Sequence, residues 1–533
     1  MKRSLLLFAL TLAFLFNAPA QIPFDVSLEE VALTNLPAVQ SFAWAEDSVG
    51  RILIIAGRTD GLHRRQPWAA FDPADNNDQL FVIDTAGTLL ASAALTDLPT
   101  DLQDQLQSTN PEFIQVDQQL VFIGGYGYRN EVNDHSTFDR AVVIDVDPLV
   151  TSLLNQQNIS SHFSSISDSL FAVTGGYLGF LNDTFYLVGG QYFHGSYNPM
   201  GPTHGPGFVQ EYTDAIRKFT LDISTTSPTI TSRNEIHDPA LLHRRDFNMA
   251  PQIFQNNQRG FTAFTGVFQP VTDLPWLNLV DIKPTGYEEV PGAQQQLNQY
   301  HTAHLSVYDE LNQQNRTLFF GGMGRFYPDA SGNLIDDTDV PFVTTISCIS
   351  RAPNGSATET YFSEEMPGLL GSGAEFIPNT KANYDHQHIL HWTGSETQPL
   401  LAGYIYGGIE STAPNIFFIN DGTQSSASHR WFKVWLNPQP ASEGELDIDP
   451  HHEWVRIYPN PPETELLLHF DGAGKTAKVS LIDPLGKVLY KDQFEVQGPT
   501  EIAIPLSPSY GRRYLVQIDS EDGKTFTKWI HAH

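Results

Sequence analysis

Three short stretches repeat one pattern of titratable and hydrogen-bonding residues. They are Arg245-Asp246-Phe247-Asn248-Met249, Tyr300-His301-Thr302-Ala303-His304 and Tyr384-Asp385-His386-Gln387-His388. Each stands where a strand is expected to begin, and side chains alternate between faces along a strand. Matched positions on neighbouring strands would therefore form layers: Arg245, Tyr300 and Tyr384 in one, Asp246, His301 and Asp385 in the next. Arg and Tyr donors beside Asp acceptors make a polar site for a glycan or another small ligand. Arg245, His301 and Asp385 would also serve acid/base chemistry on a carbohydrate. Imidazoles two or three residues apart can share an ion, so His304, His386 and His388, with His301, are the residues that would hold a metal, although no metal or cofactor is expected. The structural alternative is a solvated channel whose polar groups satisfy one another.

A second group of candidates lies in loops that are aromatic and basic for so acidic a chain. These are His63-Arg64-Arg65-Gln66-Pro67-Trp68, Tyr126-Gly127-Tyr128-Arg129, Gln191-Tyr192-Phe193-His194-Gly195-Ser196-Tyr197 and Arg325-Phe326-Tyr327. Aromatic platforms with adjacent guanidinium groups suit sugar rings, which makes Tyr126, Tyr128, Arg129 and Arg325 candidate ligand contacts. Loop-on-loop packing is the alternative, because long loops need it to stay ordered. The acidic loops at 72–78 and 329–339 do not have the spacing of a calcium loop. No nucleophile elbow, phosphate loop, zinc-protease helix or dinucleotide fingerprint occurs. The single cysteine, Cys348, sits in an apolar run and reads as a buried thiol rather than a nucleophile.

These side chains need a scaffold, and the chain supplies a repeating one. Six apolar strands end in small residues, at Ala56-Gly57, Gly124-Gly125, Gly189-Gly190, Thr265-Gly266, Gly321-Gly322 and Gly407-Gly408. An apolar strand precedes most of them, including one expected at 388–392, and two more follow, including one expected at 415–420. Four strands per unit, repeated, describe a propeller in which each blade covers its neighbour's apolar face. The strands ending in Gly-Gly resemble kelch blades. That resemblance implies an all-β, six-bladed kelch-like β-propeller over residues 21–436, with seven blades as the other count. A strand at 26–33 is placed to close the ring by joining the last blade. Kelch-like folds include galactose oxidase-like copper enzymes, which require a cysteine cross-linked to tyrosine. Cys348 falls in the wrong strand for that. They also include sialic-acid epimerases, so an epimerase- or lyase-like enzyme using His301 with Arg245 stays open beside a binding protein and an adhesive surface protein.

Both termini point to export. Lys2-Arg3, an apolar stretch at 4–16 and Ala18-Pro19-Ala20 form a signal peptide over residues 1–20. Its apolar stretch is too short to span a bilayer, and no other segment comes near the required length. After a linker at 437–452, short alternating strands over 453–533 read as a small β-sandwich. Tyr458-Pro459-Asn460-Pro461, the central stretch from Leu481 to Lys487 with its Pro484-Leu485-Gly486 turn, and Lys528-Trp529-Ile530 resemble the type A sorting domain of the Bacteroidetes type IX secretion system. The resemblance implies passage through the periplasm, recognition by that machinery, and a secreted or outer-membrane surface-attached product. A net charge of -31 disfavours nucleic acid and anionic membrane as partners. An extracellular glycan or protein is the expected partner.

Overall fold

The computed structural model describes residues 22–439 except 33–34, 67, 200–204, 206, 224–226 and 330, and the stretches 455–458, 465–471, 476–482, 487–496, 499–506, 513–520 and 525–531. The signal segment, Pro459, Asn460, Pro461 and Gly486 lie outside the described residues, as does most of the expected linker. One compact unit spans Gln21–Pro438 and a second holds Gln439–His533.

The first unit is all-β and propeller-like. Six of its sheets are built on antiparallel meanders, each with an inner strand, a strand ending in the small-residue pair, and two outer strands. The inner strands are Ala43–Glu46, Glu112–Val116, Thr174–Leu181, Asn248–Ile253, His304–Asp309 and Ala374–Pro378. The sheet that begins at Ala374–Pro378 continues through Leu400–Gly407 and Trp431–Pro438 and is completed by the N-terminal strand Phe24–Val31. Phe24 pairs with Pro438 and Val31 with Trp431, antiparallel throughout. The expected joining of the two chain ends is thus present.

Strands with both faces covered read as unbroken apolar runs. Ile52–Ile55 is such a run, buried throughout; Thr345–Arg351 is buried throughout too, although Thr345, Ser347, Ser350 and Arg351 are polar. The apolar clusters lie between consecutive sheets. Leu53 and Ile55 pack with Leu120 and Phe122, Val121 and Ile123 with Leu178 and Leu187, and Tyr186 and Val188 with Met249 and Phe261. Phe264 meets Phe319, Leu318 and Cys348 join Phe376 and Ile405, and Ile377 and Tyr406 return to Phe42 and Ile54 of the first sheet. Each sheet therefore covers the apolar face of the next, and the series closes on itself.

The small-residue pairs make the joints. The last glycine of a pair donates its N–H to the segment entering the next inner strand: Gly57 to Ser108 at 2.8 Å, Gly125 to Val173 at 2.9 Å, Gly190 to Arg244 at 2.7 Å, Gly322 to Leu370 at 2.7 Å and Gly408 to Val39 at 2.9 Å. At Gly124, with φ +62°, a Cβ would stand 2.0 Å from the Val173 carbonyl oxygen. Only glycine fits such an approach without displacing the neighbour. Ala56 and Thr265 occupy the same position in the two units with one glycine, and they take the same left-handed conformation.

Two expected strands are corrected. Residues 415–420 form turns rather than a strand. The segment Leu390–Trp392 pairs parallel with Val307–Asp309 instead of opening its own sheet. The inner strand there is Ala374–Pro378, directly after Gly371-Ser372-Gly373, whose small residues permit the close turn at the axis.

The C-terminal unit consists of two sheets. Val455–Tyr458, Glu465–Asp471 and Pro499–Pro505 form one; Val488–Glu495, Thr476–Ile482, Arg513–Ser520 and Thr525–His531 form the other. Leu466, Leu468 and Ile504 from the first share a core with Val479, Leu481, Val516 and Ile518 from the second, which is the packing of a β-sandwich.

Candidate functional site

Six residues lead into the inner strands with positive φ: Ser41, Asn110, Gly175, Asp246, His301 and Gly373. Their backbones link around the axis. Asn110 N–H donates to Ser41 O at 3.2 Å, Gly175 to Asn110 at 3.2 Å, Asp246 to Gly175 at 2.7 Å, Gly373 to His301 at 2.7 Å, and Ser41 to Gly373 at 2.8 Å. Between Asp246 and His301 the approach is through side chains, with His301 Nδ1 3.8 Å from Asp246 Oδ1. A Cβ on Gly175 would lie 2.6 Å from Asp246 Oδ1, so the absence of a side chain there makes room for the carboxylate.

Asp246 is the hub of this ring. It pairs with Arg245 and accepts a hydrogen bond from Asn110 Nδ2 at 3.1 Å. Burial alone would raise its carboxyl, but the Arg245 guanidinium and His301 outweigh burial and hold it below its ordinary value. Arg245 is braced by Tyr212, whose hydroxyl lies 3.1 Å from Nε and whose ring stacks on His243 with centroids 3.8 Å apart.

Along the axis from the ring lies a cavity of about 700 Å³ whose walls include residues from all six inner strands. Trp44, Phe113, Tyr177, His304 and Glu375 line it. Trp44 and Phe113 meet edge to face with centroids 6.5 Å apart. The Tyr177 hydroxyl lies 3.3 Å from His304 Nε2. Burial pushes the Glu375 carboxyl up to about 7, opposed by His301 and Trp44. Glu112 accepts the Gly176 N–H at 2.7 Å, and burial pushes its carboxyl up to about 8. A second cavity of about 530 Å³ adjoins the first and shares Trp44, Gln115, Asp117, Pro378, His386 and His388 with it. At that junction the Trp44 and His388 rings lie nearly parallel, 6.3 Å apart at 19°.

The structure brings Asp246 and His301 together, with Arg245 behind Asp246. Tyr300 is half-buried near Met323, its hydroxyl 3.8 Å from the sulfur, and neither Tyr300 nor Arg245 is among the residues lining the cavity. Tyr384 and Asp385 are not in the ring; Gly373 holds the sixth position. The Tyr384 hydroxyl donates to Ala402 O at 2.8 Å. Asp385 pairs with Arg259, lies 3.3 Å from His391 Nε2 and accepts the N–H groups of Gln387 and Ile389 at 2.9 and 3.0 Å. The matched residue types misled because this segment follows its inner strand instead of opening it. His304 is half-buried with Nδ1 3.1 Å from Thr302 O, and His386 and His388 stand at the junction of the two cavities. Among the described residues no group of three or more His, Cys, Asp and Glu is placed to hold a metal. The loop candidates are engaged by other parts of the protein, Tyr126 across loops and the others within their own. The Tyr126 hydroxyl donates to Gly195 O at 2.8 Å, and Tyr128 donates to Asn133 Oδ1 at 2.8 Å. Arg129 pairs with Glu131 and Asp139, and Arg325 with Asp336. Trp44, Phe113, Glu112, Tyr177 and Glu375 were not singled out by sequence. Each falls two or three residues after a ring position, a spacing that becomes visible once the ring is known.

The chain carries a secretion-system C-terminal sorting domain at residues 456–532. This tail indicates export to a secreted or cell-surface location and contact with the secretion machinery. Among the described residues no helix is long and apolar enough to cross a membrane. No curated protein matches the chain. Solved structures similar to it include YjhT, at 13% identity over 74% of this chain and 98% of that one, with a TM-score of 0.40. A copper-bound fungal alcohol oxidase of the AA5 family matches at 9% identity over 95% of this chain and 99% of that one, with a TM-score of 0.37. Likeness this low carries no activity or ligand to this chain.

Proposed function

We propose that residues 21–438 form a six-bladed kelch-like propeller that binds an extracellular glycan in its axial channel, after export directed by the sorting domain. The inner strands and the apolar clusters between consecutive sheets support the blade count. The observation that carries the binding reading is the cavity of about 700 Å³ lined by Trp44, Phe113, Tyr177, Glu375 and His301. Sugars present apolar ring faces edged by hydroxyls, so aromatic walls with a few convergent acceptors and donors are their complement. Screening the exported chain on a glycan array, beside Trp44→Ala and His301→Ala, tests this. Binding weakened in both variants supports the channel. Unchanged binding moves the site to the loops bearing Tyr126, Tyr128, Arg129 and Arg325. No binding to any glycan moves the role to protein contact or adhesion.

One observation favours a carbohydrate-active enzyme as the second reading. Glu375 is held near neutrality on the cavity wall that also carries His301, which suits proton transfer to and from a bound sugar. In this form Glu375 takes the place of Asp385, and Arg245 acts through Asp246. Mass spectrometry of array hits after incubation with the protein reads out any turnover.

A further inference from the structure

The arginines of the first unit are unequally served. Among its described residues, every arginine except Arg64, Arg65 and Arg244 pairs with a carboxylate. Arg244 donates to Leu241 O, Thr265 O and Asn278 O instead. The side chains of Arg64 and Arg65 make neither kind of contact. In a chain with 61 acidic and 30 basic residues, two adjacent guanidinium groups without a carboxylate point to an anion supplied from outside.

Their loop is built as a platform. Leu62 N–H donates to Ser425 Oγ at 2.9 Å and Asn420 Nδ2 to Leu62 O at 2.6 Å, which fastens the loop to the turn at 416–422. Gly422 leaves room for Arg64, since a Cβ there would lie 2.7 Å from its Nε. The Arg65 guanidinium covers Phe417 and Phe418, 5.3 and 4.8 Å from the ring centroids, and its Nε is closed off from solvent with no hydrogen-bond partner. Stacking of this kind fixes an arginine and leaves the rest of its fork for a carboxylate.

Large apolar side chains stand in water beside these arginines. Phe418 is 63% exposed, Ile419 62%, and Trp68, in the turn that follows Arg65, 77%. Aromatic residues and Arg are the types enriched where proteins meet. A sugar stacks on aromatic faces, whereas an exposed isoleucine is complementary to another apolar side chain. The platform follows Gly57 at the ring end of the first sheet, while the cavities run toward the hairpin turns at Asp117 and Asp183.

We propose that this platform, independently of the channel, docks an acidic segment of a partner protein. Carboxylates of the segment meet Arg64 and Arg65, and an apolar side chain packs on Phe418, Ile419 and Trp68. The net charge of -31 is no obstacle, because charges more than about 8 Å away are largely screened at physiological ionic strength and the two arginines are the near ones.

Fluorescence anisotropy of the exported chain with labelled peptides tests this. The peptides, about twelve residues long, combine Asp and Glu with Leu, Ile, Phe and Trp at varied spacing; sulfated and uronate oligosaccharides are the comparison. At least one peptide should bind, and more weakly as salt rises. Its affinity should fall at least tenfold in Arg64→Ala/Arg65→Ala and in Phe418→Ser/Ile419→Ser, with the thermal midpoint of each variant unchanged. Arg64→Lys/Arg65→Lys should recover only part of the loss, because lysine lacks the planar fork. Binding of no peptide, or binding that both of the first two variants leave intact, overturns the proposal. So does capture of the acidic oligosaccharides alone, which would make the platform a polyanion site. None of these outcomes bears on glycan binding in the channel.

Discussion

His301 Nδ1 stands 3.8 Å from Asp246 Oδ1, on two inner-strand entries that the chain builds consecutively. Backbone hydrogen bonds bind most of the ring around the axis; at this step Asn248 makes the link, donating to Gln299 O at 2.8 Å and accepting the Thr302 N–H at 3.0 Å, while the imidazole faces the carboxylate beyond hydrogen-bonding distance. The same Asp246 neutralises Arg245 and receives Asn110, so one side chain joins its own sheet to that of Asn110.

Asp246→Ala should therefore destabilise the fold well beyond a surface substitution. It leaves Arg245 charged and enclosed without its counter-ion, a loss of about 3 kcal/mol or more. Removing the charge as well, in Arg245→Met/Asp246→Ala, should recover part of the loss. Urea unfolding monitored by tryptophan fluorescence checks both. A loss below about 0.5 kcal/mol in the single variant would show that the pair does not brace the ring.

Glu112 makes stability depend on pH. Its folded pKa of about 8 lies above the ordinary value of 4.5. Between those values the unfolded chain binds fewer protons than the folded one, so stability falls as pH rises through the window and levels off above pH 8. Across that window, stability falls by about 1.4 kcal/mol for each step of one in pH. Glu112→Gln keeps an oxygen for the Gly176 N–H and should lose this slope, becoming the more stable protein at pH 9 by a few kcal/mol while near parity at pH 5. Denaturation midpoints at pH 5, 7 and 9 for both proteins test it. Parallel falls would assign the slope to other groups.

The small-residue joints give a paired test. Gly124→Ala would push a Cβ against the Val173 carbonyl oxygen in a left-handed backbone, and a loss of about 2 kcal/mol or more is expected. Ala56→Gly sits where the chain already tolerates a side chain at φ +65°, and it should change stability by no more than about 1 kcal/mol. Equal effects in thermal unfolding would mean that the approach of the Val173 carbonyl does not make glycine obligatory at Gly124.

Much of this architecture is legible in the residues alone. The apolar runs ending at Gly125, Gly190, Gly322 and Gly408 mark strands buried on both faces, and their glycines mark places where another backbone arrives. Ala56 and Thr265 weaken the pattern in two units because left-handed backbone there does not strictly require glycine. Asp246 and His301 are legible because both carry functional side chains at the same point of the repeat. The sixth position is not, because Gly373 has no side chain to advertise it, and Tyr384-Asp385 matches by residue type alone. Glu112 and Glu375 owe their raised pKa values to burial among strands distant in sequence, which no local pattern records.

The most direct test of the central claim is a crystal structure of the exported chain with a glycan that it binds in solution. The account predicts sugar density in the axial channel, with one ring on Trp44 and hydroxyls within hydrogen-bonding reach of Glu375 and His301. Density on the loops bearing Tyr126, Tyr128, Arg129 and Arg325, with no sugar in the channel, would contradict it.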